Sequence, residues 1–364
     1  MIDRKECSVN FFQHPEYNNH EQVVFASDPA TGLRAIIAIH DATLGPAVGG
    51  CRMYPYANEI QALTDALRLS RGMTHKAALA NLPFGGGKSV IMGDPKSDKT
   101  PDLMRAMGRA VDQLGGRYVL AEDSGTTPTD MRCAAEATAH VAGIENNPDG
   151  GDPSPMTAAG VFAAIKQAAL YVYDTEDLRG LRIAIQGLGH VGYHLAKLLQ
   201  PTGAILYGSD VHQPNLERAV ADFGLTPVRG DAILSFDCDI LAPCALGGIL
   251  NANSIPKIRA RVIAGAANNQ LATSDDDQRL LEEGIIYCPD FAINAGGIIE
   301  VFHQQQGSSL ATRQQAVGVI PRTLLAILQA AKAESSGTEA IATRFAEEQI
   351  ATHSGQSKRL AMPA

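Results

Sequence analysis

Two short apolar runs open the readable pattern, Val23-Val24-Phe25 and the run from Leu33 to His40, parted by Asp28-Pro29-Ala30-Thr31-Gly32. Strand-forming runs on either side of turn residues predict a β-hairpin. From Glu59 to Arg71 the period changes, with Ile60, Leu63, Leu67 and Ser70 at helical spacing, and a helix is expected. Strands are expected at 88–92 and 118–121. Between them Thr100 reads as an N-cap, Pro101 as the first helical residue and Gly115-Gly116 as the stop. Beyond 180 the pattern becomes regular. An apolar strand at 181–186 leads into a helix with Val191, Leu195, Leu198 and Leu199 on one face. Strands at 204–207, 239–243, 262–266 and 285–287 follow, with helices at 215–223 and 274–283. Alternating strands and helices predict a parallel sheet. Residues 318–350 read as Ala-rich helix and 352–364 as a frayed tail. Dense Asn, Pro, Asp and Gly at 146–155 predict a domain boundary.

Composition narrows the partners. The 364 residues suffice for two domains with their own cores, and 45% hydrophobic with 19% charged residues is ordinary for a globular chain. A net charge of −9 argues against nucleic acid or an anionic membrane as the main partner. The six cysteines are scattered without a C-x-x-C pair, so no zinc site or disulfide framework is signalled. Asp3, Arg4, Lys5 and Glu6 stand where a signal peptide needs apolar residues, and no apolar stretch approaches the roughly 18 residues of a membrane span. A cytoplasmic location with free thiols is expected.

The candidate chemistry begins between Arg71 and Lys88. Lys76 and Lys88 flank a mostly apolar segment, and Lys88 follows Gly85-Gly86-Gly87. Three glycines bare a patch of backbone, read here as a loop, and a lysine at the rim of such a patch is open to a lowered pKa. A plain Gly turn with a solvent lysine is the competing reading. A Walker loop is excluded, because the glycine it needs five positions before Gly87 is Leu82. Thr43 to Gly50 reads as a second Gly-rich loop, and Asp123 leaves the end of a buried strand. In the second half, Gly187-Leu188-Gly189-His190-Val191-Gly192 lies between strand and helix, and a second strand ends at Asp210. That context is the dinucleotide fingerprint: glycines for close approach, a helix N-terminus for the pyrophosphate, an acid for the ribose. With no arginine just after Asp210, NAD is favoured over NADP. Asn268, Asn269 and Asn294 fall after strands, where ligands of such sheets bind.

Together these residues carry a resemblance. The run from Leu44 to Arg52, the Lys76–Lys88 segment, Ala121 to Thr126, Pro153 to Thr157, Cys244 to Gly248, Gly265 to Gln270 and Asn294 to Gly297 resemble, in order over about residues 23 to 350, the glutamate/leucine/phenylalanine/valine dehydrogenases, most of all the leucine-acting members. The resemblance implies an α/β chain of two domains with a cleft between them. Residues 1–150 would be a substrate-binding and oligomerisation domain with the lysines, and 151–330 a Rossmann NAD-binding domain. Residues 331–364 would be a helix and tail returning to the first domain. Lys76 would bind the substrate α-carboxylate with help from the Gly49 and Gly50 backbone. Lys88, its pKa lowered, would polarise water and the carbonyl oxygen, and Asp123 would shuttle the amine proton. Asn269 and Asn294 would hold substrate, while Thr157 and Asn268 would stand on the cofactor side. The side-chain pocket would be Val48, Ala121, Ile298 and Val301. It has no cation to take a side-chain carboxylate, so leucine, valine and isoleucine are expected rather than glutamate.

The implied reaction is reversible oxidative deamination to a 2-oxo acid and ammonia, by a homo-oligomer (dimer or octamer) without a metal. The chain departs from its relatives at His75, often tyrosine, and at Glu300, often asparagine. Two alternatives stay open: an aromatic amino acid dehydrogenase, and a non-catalytic NAD-binding sensor.

Overall fold

The structure is a computed structural model and describes residues 11–144 and 152–360. Its contacts divide the chain into two compact units: Met1–Thr74 with Phe84–Val141, and His75–Pro83 with Ala142–Ala364. The division falls at Val141, ahead of the expected boundary at 146–155, of which residues 146–151 lie outside the described residues.

The first unit is built on a five-stranded sheet. Strands β1 (Gln22–Asp28) and β2 (Leu33–Asp41) form the expected antiparallel hairpin, its turn closed by the Ala30 N–H on Asp28 Oδ1 at 3.0 Å. Strand β3 (Ala47–Tyr54), helix α1 (Glu59–Leu79) and strand β4 (Gly85–Met92) follow. Helix α2 (Pro101–Asp112) comes next, with Thr100 accepting the Leu103 N–H as its cap, then strand β5 (Tyr118–Glu122) and helix α3 (Pro128–Ala135). The order is β1-β2-β4-β3-β5, with β3 parallel to both neighbours. Helix α1 lays Ala62, Leu63, Ala66 and Leu67 on Ile36, Ala38 and Val90. Each such leucine contributes about 2 kcal/mol by leaving water.

Both expected Gly-rich loops prove to be strand, at least in the part that matters. Gly49-Gly50 belong to β3 and Gly85-Gly86-Gly87 to β4, at the centre of the sheet. The reason is crowding. A Cβ on Gly87 would meet the Tyr118 ring at 2.7 Å, and one on Gly86 would strike the backbone and hydroxyl of Thr74. Their missing side chains admit neighbouring elements.

The second unit carries helix α4 (Ser154–Tyr173), strand β6 (Arg182–Gln186), helix α5 (His190–Leu199), strand β7 (Ile205–Ser209), helix α6 (Gln213–Phe223), and strands β8 (Thr226–Pro227), β9 (Ile240–Pro243) and β10 (Val262–Ile263). Helix α7 (Asp275–Glu282) and strand β11 (Ile286–Tyr287) complete the sheet, whose order is β11-β10-β9-β6-β7-β8 with every pairing parallel. The chain reverses its winding between β6 and β9, the place where such sheets bind ligands. Ala184, Leu241, Ile263 and Tyr287 form a shared core across its strands.

Five helices follow: α8 (Asp290–Ile293), α9 (Gly296–Gln305), α10 (Leu310–Ala316), α11 (Val319–Glu334) and α12 (Thr338–Leu360). The single helix expected at 318–350 is broken at Ser335, whose φ of 51° is left-handed, and helix continues to Leu360 where a frayed tail was expected. By their contacts α11 and α12 group with the second unit, and Gln349 on α12 donates to Asn81 at 2.5 Å. One stretch, Leu310–Glu334, does reach the length and mean hydropathy (1.3) of a membrane span. It is two helices, and α11 packs Ile320, Leu324, Ile327 and Leu328 into the protein core.

Candidate active site

In the first unit the chemistry gathers on one face of β3 and its neighbours. Residues two apart on a strand share a face, so Val48, Gly50 and Arg52 point the same way. Ala121 on β5 lies directly opposite Gly50. Lys88 on β4 ion-pairs with Asp123, which follows β5, and both side chains are largely buried. A Cβ on Gly50 would stand 2.7 Å from the Asp123 Cβ and 3.2 Å from Lys88 Nζ. Gly50 is therefore the space in which lysine and aspartate meet. Gly49 is packed within the sheet: its carbonyl accepts the Tyr118 hydroxyl at 2.8 Å, and a Cβ there would strike the Gly87 carbonyl oxygen.

A third charged group was missed in the sequence. Arg52 Nε lies 3.3 Å from Asp123 Oδ2, an ion pair not angled as a hydrogen bond, while its NH1 donates to Asp65 at 2.9 Å. The Tyr56 hydroxyl also donates to Asp65, at 2.6 Å. Burial pushes the Asp123 carboxyl up, but Lys88 and Arg52 more than offset it and hold the group well below the usual carboxylate range. Asp123 is thus an ionised, cation-flanked base. Burial drives the neighbouring Cys51 thiol up to about 12, so it supplies no thiolate there. The available signal for Arg52 was a charge at the same strand parity as Gly50.

In the second unit Lys76, in the last turn of α1, is 9% exposed and donates to Asn268 Oδ1 at 3.2 Å. Asn294 Nδ2 donates to the same oxygen at 2.8 Å and to the Ala266 carbonyl at 3.0 Å. Its own Oδ1 is buried without a hydrogen-bond partner. Asn268, expected on the cofactor side, is therefore the residue that ties Lys76 to Asn294. Asn269 contributes a left-handed turn, with φ at 51°. Asp290, also missed, accepts the Gln270 N–H at 2.9 Å. Burial raises its pKa, opposed by that hydrogen bond and by the charge of Lys76.

The dinucleotide loop has the expected build. A Cβ on Gly187 would meet Ala245 at 2.7 Å, and one on Gly192 would strike the Gly187 carbonyl, so the first and third glycines close the turn against its neighbours. Gly189 precedes α5, and a Cβ there would meet nothing within 4 Å, leaving its approach open. His190 is exposed, Val191 half-buried, and Leu188 is packed inside. Asp210 Oδ2 accepts the Leu188 N–H at 2.7 Å, and Oδ1 accepts that of His212 at 2.7 Å. Asn215 Nδ2 adds a longer donation to Oδ2 at 3.4 Å, which leaves Oδ1 with a further lone pair for a hydroxyl. These residues fit a dinucleotide. Thr157 donates to the Pro153 carbonyl at 3.0 Å and lies against Gly297, where a Cβ would meet its hydroxyl at 2.8 Å.

Helix α9 carries Ile298 and Val301, three residues apart and so on one side. Glu300 faces elsewhere. Its Oε1 accepts Arg313 NH1 at 2.6 Å and Gln304 Nε2 at 2.8 Å, joining α9 to α10. His75 packs its ring on Phe291, with centroids 5.6 Å apart.

Two family models match the chain. Residues 20–140 match the Glu/Leu/Phe/Val dehydrogenase dimerisation domain, and residues 211–317 match the Glutamate/Leucine/Phenylalanine/Valine dehydrogenase model. The chain belongs to the Glu/Leu/Phe/Val dehydrogenase family. A leucine dehydrogenase of Bacillus subtilis is 46% identical over 343 residues, covering 94% of each chain. An L-tryptophan dehydrogenase of Nostoc punctiforme is also 46% identical, over 346 residues, covering 95% of this chain and 97% of that one. A crystal structure of the Nostoc punctiforme enzyme matches with a TM-score of 0.77 over 92% of this chain and 97% of that chain. Family membership is thus secure, and equal identities leave the choice of amino acid to the pocket.

Proposed function

We propose that this chain catalyses the NAD-dependent, reversible oxidative deamination of a branched-chain aliphatic L-amino acid, leucine foremost, to the 2-oxo acid and ammonia. The observation that carries the proposal is the pairing of Lys88 with Asp123 in the space left by Gly50, with Arg52 as a second cation. Asp123 is ionised at neutral pH, so it takes a proton from the substrate ammonium. The neutral amine then pushes hydride from Cα. Bound at the Gly187–Gly192 loop, NAD supplies the hydride acceptor. Lys88 next holds the oxygen of the water that adds to the imino carbon, and stabilises charge on it as ammonia departs with the proton from Asp123. The balance is amino acid, oxidised cofactor and water giving 2-oxo acid, ammonium, reduced cofactor and a proton.

Lys76, held by Asn268, takes the α-carboxylate as a point charge. The unpartnered Oδ1 of Asn294 is an acceptor suited to the substrate ammonium. Val48 and Ala121 on the first unit, and Ile298 and Val301 on the second, are the residues proposed to meet the side chain. None carries charge, and Glu300 is committed to Arg313, which supports an aliphatic side chain over that of glutamate. Differences of a methylene are worth about 1–3 kcal/mol in such a pocket, so valine and isoleucine turn over as well. A homo-oligomer belongs to this reading, supported by the description of the matched first domain as a dimerisation domain.

An aromatic amino acid is the second reading, favoured by the 46% identity to the tryptophan-acting relative. NADH formation by the purified protein at mildly alkaline pH, on Leu, Val, Ile, Phe, Trp and Glu, tests both. Rapid turnover of leucine with NAD supports the proposal. Preference for phenylalanine or tryptophan keeps the mechanism and overturns the pocket, and silence on all six overturns the enzyme.

A further inference from the structure

The second unit contains a cavity of about 460 Å³ that the reaction does not use. That volume lies within the range of small-molecule sites, roughly 300–1,000 Å³. Its place in the sheet sets it apart. Arg261 and Ile285, both in its wall, immediately precede β10 and β11, at the amino ends of the strands. The Gly187–Gly192 loop and Asn294 follow β6 and β11, at the carboxyl ends. Helices α7 and α11 supply the apolar walls, with Leu280 and Leu328 both buried.

Two cations stand at this cavity, Arg261 and Lys332, both exposed, and neither enters an ion pair among the described residues. The Arg261 guanidinium lies 5.6 Å from the centre of the Tyr173 ring, a contact that leaves its donors available. One carboxylate, Asp277, also lines the space, but it is spent. Its oxygens accept the N–H groups of Glu339 and Ala340 at 3.2 and 3.0 Å, capping the first turn of α12. Burial additionally favours its neutral form.

Unpaired cations beside hydrocarbon walls select a small anion with an apolar body. We infer that this cavity is a binding site for apolar monocarboxylates, held by Arg261 and Lys332 with the hydrocarbon part against Leu280, Ile285 and Leu328. Inorganic phosphate satisfies the cations but leaves those walls uncovered. The inference concerns residues outside the proposed reaction and does not rest on that reading.

The probe is 4-methylpentanoate, which has neither an amino nor an oxo group to react, titrated by calorimetry into the full-length protein. Lys76→Ala serves as the background, because it removes the carboxylate anchor proposed at the other end of the sheet. Binding is expected to persist in this background. Adding Arg261→Gln with Lys332→Gln is expected to weaken it about tenfold or more, the loss of charge-assisted hydrogen bonds. A control pair, Arg229→Gln with Lys257→Gln, removes the same charge elsewhere on the unit and is expected to change nothing. An unaltered melting temperature in that variant, and unaltered leucine turnover when Arg261→Gln and Lys332→Gln are made without Lys76→Ala, establish that the fold is intact. No binding through the tens of millimolar range, equal affinity in the Arg261/Lys332 variant, or equal weakening by the control pair would each overturn the inference.

Discussion

Replacing Arg52 with glutamine removes one of the two cations that keep Asp123 ionised. Arg52 Nε stands 3.3 Å from Asp123 Oδ2, and the two side chains are 21% and 18% exposed. Unit charges about 4 Å apart interact by about 4 kcal/mol at an effective dielectric of 20, before desolvation is set against them. Opposite charges in such contact typically lower a carboxyl pKa by about 1–3 units. Because the pair is partly wet and Lys88 remains, the low end applies: about 1 unit, or about 1.4 kcal/mol. The sign follows from the direction of the shift. Asp123 lies below its ordinary value of 3.8 when folded, so its ionised form stabilises the protein above that value and the contribution is lost as pH falls through the folded one. Arg52→Gln moves the folded value up toward 3.8. The variant therefore begins acid unfolding at a higher pH, by about 1 unit where Asp123 dominates, and loses stability at neutral pH. The chain has no tryptophan, so far-ultraviolet circular dichroism across an acid titration is the readout, with kcat/KM for leucine measured alongside. If the acid transition and the acid limb of kcat/KM both stay where they are in the parent protein, Arg52 does not act on Asp123 and the electrostatic account is wrong.

The other expectations rest on separate contacts. Gly50→Ala places a methyl 2.7 Å from the Asp123 Cβ and should cut kcat about a hundredfold, the usual consequence of a misplaced catalytic group, with a modest loss in melting temperature; near-parental kcat would remove the steric role. Glu300→Gln strips the charge partner from Arg313, itself only 2% exposed, and should cost about 3 kcal/mol in urea unfolding, while Glu300→Met with Arg313→Leu should recover most of it. An additive double variant would contradict a pairwise bond. Asp210→Ala frees the Leu188 N–H and should raise KM for NAD about tenfold or more with little change in kcat, in steady-state assays of NADH formation.

Much of the second unit was legible because its signals are local. Gly187 to Gly192 sits between an apolar run and a helical period, and six residues of spacing describe the turn that the structure contains. Thr100 with Pro101, and the hairpin turn at 28–32, are likewise short-range chemistry that holds wherever the chain folds. The triple glycine before Lys88 carried no such meaning. Its status as a central strand comes from pairing with β2 and β3 and from the approach of Thr74 and Tyr118, residues distant in sequence. Glu300 was similarly opaque. In the sequence it stands between Ile298 and Val301 with no partner in view, and only Arg313, on another helix, supplies the one it pairs with.

By itself the sequence determined the two-part α/β plan, the dinucleotide loop with Asp210, and the family through its linked motifs. Spacing along the chain specifies helix faces, turns and caps, and all of these depend on a few neighbouring residues. Tertiary structure decided which charges meet. Lys88, Asp123 and Arg52 converge because β4, β3 and β5 lie side by side, and Lys76 meets Asn268, 192 residues away along the chain. Electrostatic coupling depends on separation in space and on exclusion of water, and neither quantity is written in the order of residues.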